Sequence, residues 1–430
     1  MVDVIKISLW NKEVGALSWN PKRNYAAFEF FPDFIESTSW DVSPLFMPLK
    51  NSTNRIYTFP RLNEETFKGL PGMLSDVLPD DFGNRLIDQW LMLNNIPKAQ
   101  FTPLDRLCYI GTRGMGALEF QPSKMVGAKK ASVLEVDKLV TLAQKVLSSR
   151  EQLSMTMTET EDLNELIKVG TSAGGQRAKA IIAYNATTNE IRSGQTEVPK
   201  GFEHYLFKFD GVNDVSLGDP QGYGRIEYAY YLMALDCGIT MNTSQLFEEH
   251  NRAHFMTKRF DRGDDGEKIH MQTLCSLAHF DYKAPGVYSY ENAFEVMRRL
   301  NLPHTDAIEL YKRMLLNVMA RNQDDHTKNI SFLMNKEGTW KLAPAYDITY
   351  SYNPTGIWTS AHQMTINGKR GEFSLNDLMA VGSKISYKKS REAIQEIVEV
   401  VGNFKHYAQQ AGVPRAQAKT LQKAFRLQWN

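Results

Sequence analysis

The sequence predicts an α+β protein with a β-rich N-terminal part and a mainly helical C-terminal lobe. Three observations carry that expectation. Residues 3–60 hold short runs of alternating apolar and polar character, residues 167–262 hold a second group of strand signals, and beyond residue 290 the apolar spacing is helical. A chain of 430 residues exceeds what one hydrophobic core usually organises, so two or three domains are expected.

In chain order, VIKISLW, NYAAFEFF and RIYTFP read as the first strands, with Asn-Pro and Phe-Pro steps between them. Residues 64–95 turn helical: Leu70, Met73, Leu74 and Leu78, then Leu86, Ile87, Trp90 and Leu91, recur at helical spacing around the break LPDDFGN. The Gly-rich run YIGTRGMGALEF at 109–120 predicts a hairpin. Ser132 with Glu135 forms a capping-box pattern that predicts a helix from residue 133. The polar run SMTMTETE at 154–161 reads as a loop or linker.

Strand signals follow in IKVGTSAGGQRAKAIIAYN, EHYLFKFDG, TSQLFEE and AHFMTKRFDR, interrupted by one helix over 222–236. In AIELYKRMLLNVMA, Ile308, Tyr311, Leu315 and Val318 share one helical face. A single hairpin at 330–350 breaks the helical pattern, and AQAKTLQKAFRLQW predicts a closing helix. We therefore expect a β-rich part over 1–125, a second strand-rich part over 126–258 and a helical lobe over 259–430.

Lysine and arginine number 50 against 49 acids, for a formal charge of +1, so no bulk charge points to nucleic acid or an anionic membrane. Cys108, Cys237 and Cys275 are odd in number and far apart, which fits neither a disulfide framework nor a CxxC zinc site. The N-terminus lacks the basic and apolar regions of a signal peptide, and no apolar run reaches membrane-spanning length. A cytoplasmic protein without membrane attachment is expected.

The chemistry concentrates in RNQDDHTKNI at 321–330, which follows a helix and precedes a strand. Asp324 and Asn329 stand at the D-x-x-x-x-N spacing of the protein-kinase catalytic loop, where the acid handles the proton of an attacking hydroxyl and the amide oxygen ligates magnesium. Asp347, in AYDIT beyond the hairpin, is placed to supply a second metal-binding carboxylate. Magnesium prefers hard oxygen ligands and keeps waters, so one carboxylate, one amide and ATP phosphates suffice. Asp325 is expected to brace the loop.

A kinase also needs a lysine on a strand, an acid on a helix and a flexible phosphate-covering loop. Lys208 lies in EHYLFKFDG, and Glu227 follows 19 residues later on a helix, where a paired acid would keep the lysine cationic. VGTSAGGQRAKA supplies Gly170, Gly174 and Gly175, whose backbone can approach phosphate oxygens although no G-x-G-x-x-G is formed. Taken singly, Lys208 is an ordinary strand-edge lysine, Glu227 a solvated helix residue and TSAGGQ a tight turn. His326 in D-D-H raises a metal hydrolase, but the other histidines form no ligand pair at metal-binding spacing. GTRGMG at 111–116 lacks G-K-[ST] and reads as a turn.

At this point the sequence resembles the HipA family of serine/threonine kinases, the toxin halves of bacterial toxin-antitoxin pairs. The resemblance rests on NQDDHTKNISFLM with LAPAYDIT, supported by GLPGMLSDVLPDDFGN, SAGGQRAKA, HFMTKRFDR and QTLCSLAHFDY, and it covers nearly the whole chain. It implies a protein-kinase-like bilobal fold that binds ATP and Mg2+. Asp324 would be the catalytic base, with Asn329 and Asp347 as metal ligands. Lys208 would contact ATP phosphates, with His326, Lys328 and Tyr346 lining the nucleotide site. The Gly-rich residues Thr171, Ser172, Ala173, Gly174 and Gly175, supported by Gln176, would cover the phosphates. Thr257, Lys258, Arg259 and Phe260 would form the adenine hinge, with Lys258 standing where the best-known member has an acid.

Family members autophosphorylate a serine in the Gly-rich loop, and Thr171 or Ser172 occupies that place here. The implied protein substrate is an aminoacyl-tRNA synthetase such as the glutamyl enzyme. The implied partner is a HipB-like helix-turn-helix antitoxin, through which operator DNA would mainly be bound. Two other functions compete: a small-molecule or lipid kinase, which can use the same acids, and a catalytically idle co-repressor acting with a DNA-binding partner.

Overall fold

The computed structural model describes residues 2–123, 132–148, 166–167, 169–170, 177–195, 198–212 and 222–429. The chain divides into two compact units. Met1–Val42, Met47–Gly224 and Gln245–Met271 form the first, and Ser43–Phe46, Arg225–Ser244 and Gln272–Asn430 the second.

The first unit contains two five-stranded sheets. In one, β1 (Val4–Leu9), β2 (Lys12–Asn20), β3 (Tyr25–Phe30), β4 (Ile56–Tyr57) and β5 (Leu118–Gln121) lie in the order β4-β3-β2-β1-β5. The alternation in VIKISL has its expected effect: Ile5 and Ile7 are buried while Val4 and Lys6 face out. Short helices α1 (Pro32–Ser37), α2 (Glu64–Phe67) and α3 (Gly72–Ser75) precede α4 (Asp81–Leu93), which is capped by Asp80 accepting from Gly83 N at 2.8 Å. The expected hairpin at 109–120 is not formed. Tyr109 and Ile110 instead end helix α5 (Pro103–Ile110), which a Thr102–Asp105 capping box and Pro103 start, and only residues 118–121 extend as a strand.

The second sheet holds β6 (Lys179–Asn185), β7 (Glu190–Ser193), β8 (Glu203–Lys208), β9 (Ser244–Glu249) and β10 (Arg252–Lys258), ordered β7-β6-β8-β10-β9. Helix α6 begins at Val136 rather than 133, because Val133 bridges to Arg192 and Leu134 N bonds to Ile191 O at 3.0 Å. Extended pairing thus claims the residues that the capping pattern assigned to a helix start. Val169 and Gly170 are helical rather than part of an extended Gly-rich loop. Phe82, Leu86, Ile87 and Leu91 of α4 join Leu139, Ala143 and Val146 of α6 (Val136–Ser148) in one core with Ala180, Ile182, Phe207 and Met256 of the sheet. Each large apolar side chain so buried contributes about 1.5–3 kcal/mol. Gly224 is required by close approach, since a Cβ there would meet Ala253 O at 2.0 Å.

Helix α7 (Tyr223–Asp236) leads into the second unit. After β11 (His270–Thr273) come α8 (Leu274–Ala278), α9 (Tyr290–Arg299) and α10 (His304–Met319), then the hairpin β12 (Ser331–Met334) and β13 (Trp340–Leu342). The chain ends in α11 (Leu375–Lys384), α12 (Ser390–Gly402), α13 (Phe404–Gln410) and α14 (Arg415–Lys423). α10 is the axis of this unit and packs on α9, α11 and α12. Tyr311, Leu315 and Val318 are fully buried as their spacing predicts, but so are Met314 and Leu316, whereas Ile308 is only partly covered. Residues 343–374 are irregular apart from isolated bridges, so the break in the helical pattern extends well past residue 350. Among the described residues no helix is long and apolar enough to cross a membrane.

Candidate active site

The loop 321–330 begins where α10 stops. Arg321 adopts the left-handed conformation (φ 59°), and Asn322 N returns to Asn317 O at 2.9 Å, which closes the helix in a Schellman-type turn. The loop ends in a 3-10 turn over Thr327–Asn329 that runs directly into β12. Two packed elements therefore hold its ends.

Its middle is held by Asp325, which is buried and accepts three hydrogen bonds. Tyr290 OH donates at 3.0 Å, His362 Nδ1 at 2.8 Å and Gln363 N at 2.8 Å. Since Nδ1 must carry a proton to donate, Nε2 of the same ring accepts from Arg426 Nη1 at 3.2 Å. Asn317 Nδ2 donates to Tyr290 OH at 3.0 Å, and Asn322 Nδ2 to Asn317 Oδ1 at 2.9 Å. Tyr346 OH donates to Lys328 O at 2.5 Å and pairs with Ser331 Oγ, which ties the loop to the strand that follows. Thr327 Oγ1 donates to Phe280 O at 2.8 Å.

Asp324 stands at the edge of this network, its carboxylate about 35% exposed. Trp358 Nε1 donates to its Oδ1 at 2.5 Å, and His326 Nε2 lies 3.8 Å from the same oxygen. Loss of water around the carboxylate raises its pKa above the ordinary value, with Asp347 and Asp325 adding to the rise, while His326 and the Trp358 hydrogen bond oppose it. Asn329 Nδ2 donates to Asp324 O at 2.8 Å, so the amide nitrogen is committed to the loop and the amide oxygen turns the other way. Asn329 and Asp347 line one pocket together with Asp325, His326 and Tyr346. Asp347 takes a left-handed backbone (φ 55°), which short polar residues tolerate best. An amide oxygen and a carboxylate are both hard oxygen donors, and the pair fits Mg2+. Lys328 Nζ lies 4.9 Å from the Tyr282 ring centroid, and the His326 ring 5.2 Å from the same ring.

Lys208 ends β8 in the first unit, opposite Phe255 and Lys179, with Nζ 5.9 Å from the Phe255 ring centroid. Glu227 lies buried on α7 in the second unit. In the hinge segment, Thr257 pairs with Leu206 and Lys258 with Tyr205 across β10 and β8. Lys258 Nζ reaches Glu203 at 2.6 Å and Asp264 at 2.9 Å, hydrogen bonds that raise its pKa. Arg259 N donates to His204 O at 2.9 Å, while its guanidinium is buried against Asp261 at 2.8 and 2.7 Å, so its side chain is engaged by Asp261. Phe260 is partly buried. Thr171, Ser172, Ala173, Gly174, Gly175 and Gln176 lie outside the described residues.

Sequence reasoning missed Trp358, Tyr290, His362, Gln363 and Arg426. It also missed Lys179, a buried lysine whose Nζ lies 3.6 Å from Asp80 and which joins two of the quoted motif stretches within the first unit. These partners carry no local spacing signal, since each is far along the chain from the group it meets.

A β-rich N-terminal part, a helical C-terminal part and an acidic loop between helix and hairpin define a mixed helix-and-sheet protein of kinase-like fold. Residues 171–408 match the HipA-like C-terminal domain and residues 5–121 the HipA N-terminal domain. The chain belongs to the HipA family. It is similar in fold to the HipA chain of the Shewanella oneidensis MR-1 toxin-antitoxin complex of HipA, HipB and operator DNA, with a TM-score of 0.65 and 15% identity over 98% of this chain and 96% of that one. A putative kinase of Haemophilus influenzae is 22% identical over 206 residues, 42% of this chain, and the match spans 60% of that relative's length.

Proposed function

We propose that the chain is an ATP- and Mg2+-dependent protein serine/threonine kinase that acts as the toxin of a toxin-antitoxin pair. The observation that carries this reading is the grouping of Asp324, Asn329 and Asp347 around a loop whose neighbouring acid, Asp325, is fully occupied in holding it. One acid is thereby left for chemistry and the other for rigidity.

In this reading a hydroxyl of the acceptor attacks the γ-phosphorus of ATP. The new O–P bond forms as the bond to the β-phosphate oxygen breaks, ADP leaves, and the hydroxyl proton passes to the Asp324 carboxylate. Trp358 and His326 oppose the upward pull on its pKa and so favour the ionised form that can take a proton. Asn329 and Asp347 would hold Mg2+, which when bound neutralises phosphate charge. Lys208 would contact the phosphates, and Thr171–Gln176 would cover them.

The family and its likeness to a HipA that assembles with HipB and operator DNA support a HipB-like helix-turn-helix partner and regulation of its own operator through that partner. A protein of the aminoacyl-tRNA synthetase class is the proposed substrate, and Thr171 or Ser172 the proposed autophosphorylation site. A phosphate there would add roughly −1.5 to −2 charge beside nucleotide phosphates and favour an outward loop.

The test is transfer of label from [γ-32P]ATP to cell-lysate proteins by the wild type and by Asp324→Asn. The variant keeps an oxygen for Trp358 and should fold normally, while transfer falls by about 10²–10⁴-fold. Equal transfer by both proteins would remove Asp324 as the base, and label found only in metabolites would make the acceptor a small molecule.

A further inference from the structure

Gln363 has no part in the reading above and Trp358 enters it only through the charge of Asp324, yet both reach the catalytic loop from the irregular segment that follows β13. Gln363 is buried, and the two hydrogens of its side-chain Nε2 are shared among Gln323 O at 3.1 Å, Ala361 O at 3.0 Å and Trp358 O at 2.5 Å. Its backbone N donates to Asp325 Oδ1 at 2.8 Å. One residue therefore joins the carbonyls of residues 358 and 361 to the main chain just before Asp324 and the side chain just after it. His362, fully buried, adds its own bond to Asp325 Oδ2 at 2.8 Å. The segment 358–363 is fixed to both sides of Asp324, and the one side chain it extends to Asp324 itself is the Trp358 indole, 2.5 Å from Oδ1.

We propose that Trp358 is a positioning residue for phosphoryl transfer: its indole N–H holds Oδ1 of Asp324 so that Oδ2 is presented to the acceptor hydroxyl. A carboxylate on a single bond to Cβ rotates about that bond, and a hydroxyl meets a lone pair only at restricted orientations. A rigid donor on one oxygen removes this rotation before the acceptor arrives. Gln363 carries the rigidity, since it anchors the Trp358 carbonyl to the same loop that carries Asp324. Ile357, the residue before Trp358, is fully exposed, so the backbone reaches the protein surface immediately beside the contact.

This inference rests on the kinase reading, and the experiment separates the two. Label transfer from [γ-32P]ATP to lysate proteins is measured for wild type, Trp358→Phe, Asp324→Asn and the double variant, with KM for ATP and the thermal midpoint for each. Trp358→Phe keeps an aromatic ring beside His326 and loses the donor together with part of the indole's volume, which the thermal midpoint monitors. It should lower kcat about 10–100-fold, within the range of a misplaced reacting group, with KM for ATP and the midpoint unchanged. In the Asp324→Asn background the same change should add little, because Trp358 acts through Asp324. Wild-type kcat in Trp358→Phe, with Asp324→Asn inactive, overturns the inference and leaves the kinase reading standing. A fall in kcat matched by a lower midpoint, or an equal fall in both backgrounds, also overturns it in favour of a structural role. If wild type and Asp324→Asn transfer equally, Asp324 is not the base and the inference falls with it, while absence of transfer by the wild type removes the kinase reading itself.

Discussion

Asp261 in the first unit and Asp325 in the second are both buried, and the two are satisfied by opposite means. In the first unit Asp261 is met by charge: Arg259 grips it with two bonds, Arg262 Nη1 lies at 3.0 Å and Gly116 N donates at 2.7 Å. The same arginines reach the carbonyls of Gly114 and Gly116, so the GTRGMG turn is bound to the segment after β10. In the second unit Asp325 is met by a phenol, an imidazole and a backbone amide among its hydrogen-bond donors. A guanidinium pair fixes geometry through net charge, whereas a phenol hydroxyl can rotate to donate or accept. The stiff arrangement holds a turn in place, and the adaptable one stands beside the proposed base.

The comparison breaks most visibly at Asp261. Asp261→Asn leaves two buried guanidinium groups without their counter-charge and should cost about 3–5 kcal/mol, read as a shift in the urea midpoint. Asp325→Asn should cost less, about 1–3 kcal/mol, because the Tyr290 hydroxyl and the Gln363 amide that donate to it are uncharged and the hydroxyl can turn to accept from an amide. Its transfer rate should still fall roughly tenfold or more, since the loop carrying Asp324 loses a defined position. Comparable stability losses in the two variants would show that the Asp325 donors are as rigid as the arginines.

Acid supplies the most graded test. Burial, then repulsion from Arg259 and Arg262, holds His204 down to about 4; burial does the same for His254, with Arg252 adding, and carries His270 to about 3. All three belong to the first unit. Below the unfolded value near 6.5 the unfolded chain takes up protons that the folded one refuses, so stability falls as pH drops from about 6.5 toward 4. The limiting slope is about 1.4 kcal/mol per pH unit for each such histidine. Urea titrations at pH 7.0, 5.5 and 4.5 should show the decline, and a flat profile would mean that these rings protonate without unfolding.

Much of the fold was legible because its signals are local. Alternation in VIKISL and EHYLFK and the helical spacing around Tyr311 and Leu315 need only neighbouring residues, and the structure has strands and a helix there. YIGTRGMG misled because glycines that look like a hairpin turn in fact end a helix, at Gly111, and admit long-range contacts, at Gly114 and Gly116. The acids of the loop could be singled out by their spacing from Asn329, but their companions could not. Tyr290, Trp358, His362 and Gln363 lie 35, 34, 37 and 38 residues from the aspartates they bond, and only the tertiary path of residues 343–374 brings the last three there.

The left-handed backbone at Asp347 narrows the alphabet at that position. A long or β-branched side chain is disfavoured at φ 55°, which leaves glycine, asparagine and aspartate as the comfortable choices. If the position must also bring negative charge, glycine and asparagine drop out, and glutamate, the other carboxylate, fits the backbone poorly. Asn329 is narrowed in a complementary way: an aspartate there would set a carboxylate oxygen against the Asp324 carbonyl where the amide nitrogen now donates. Two acidic-looking places on either side of one hairpin thus accept different single letters, one chosen by the torsion of its own main chain and the other by a neighbour's need for a proton donor.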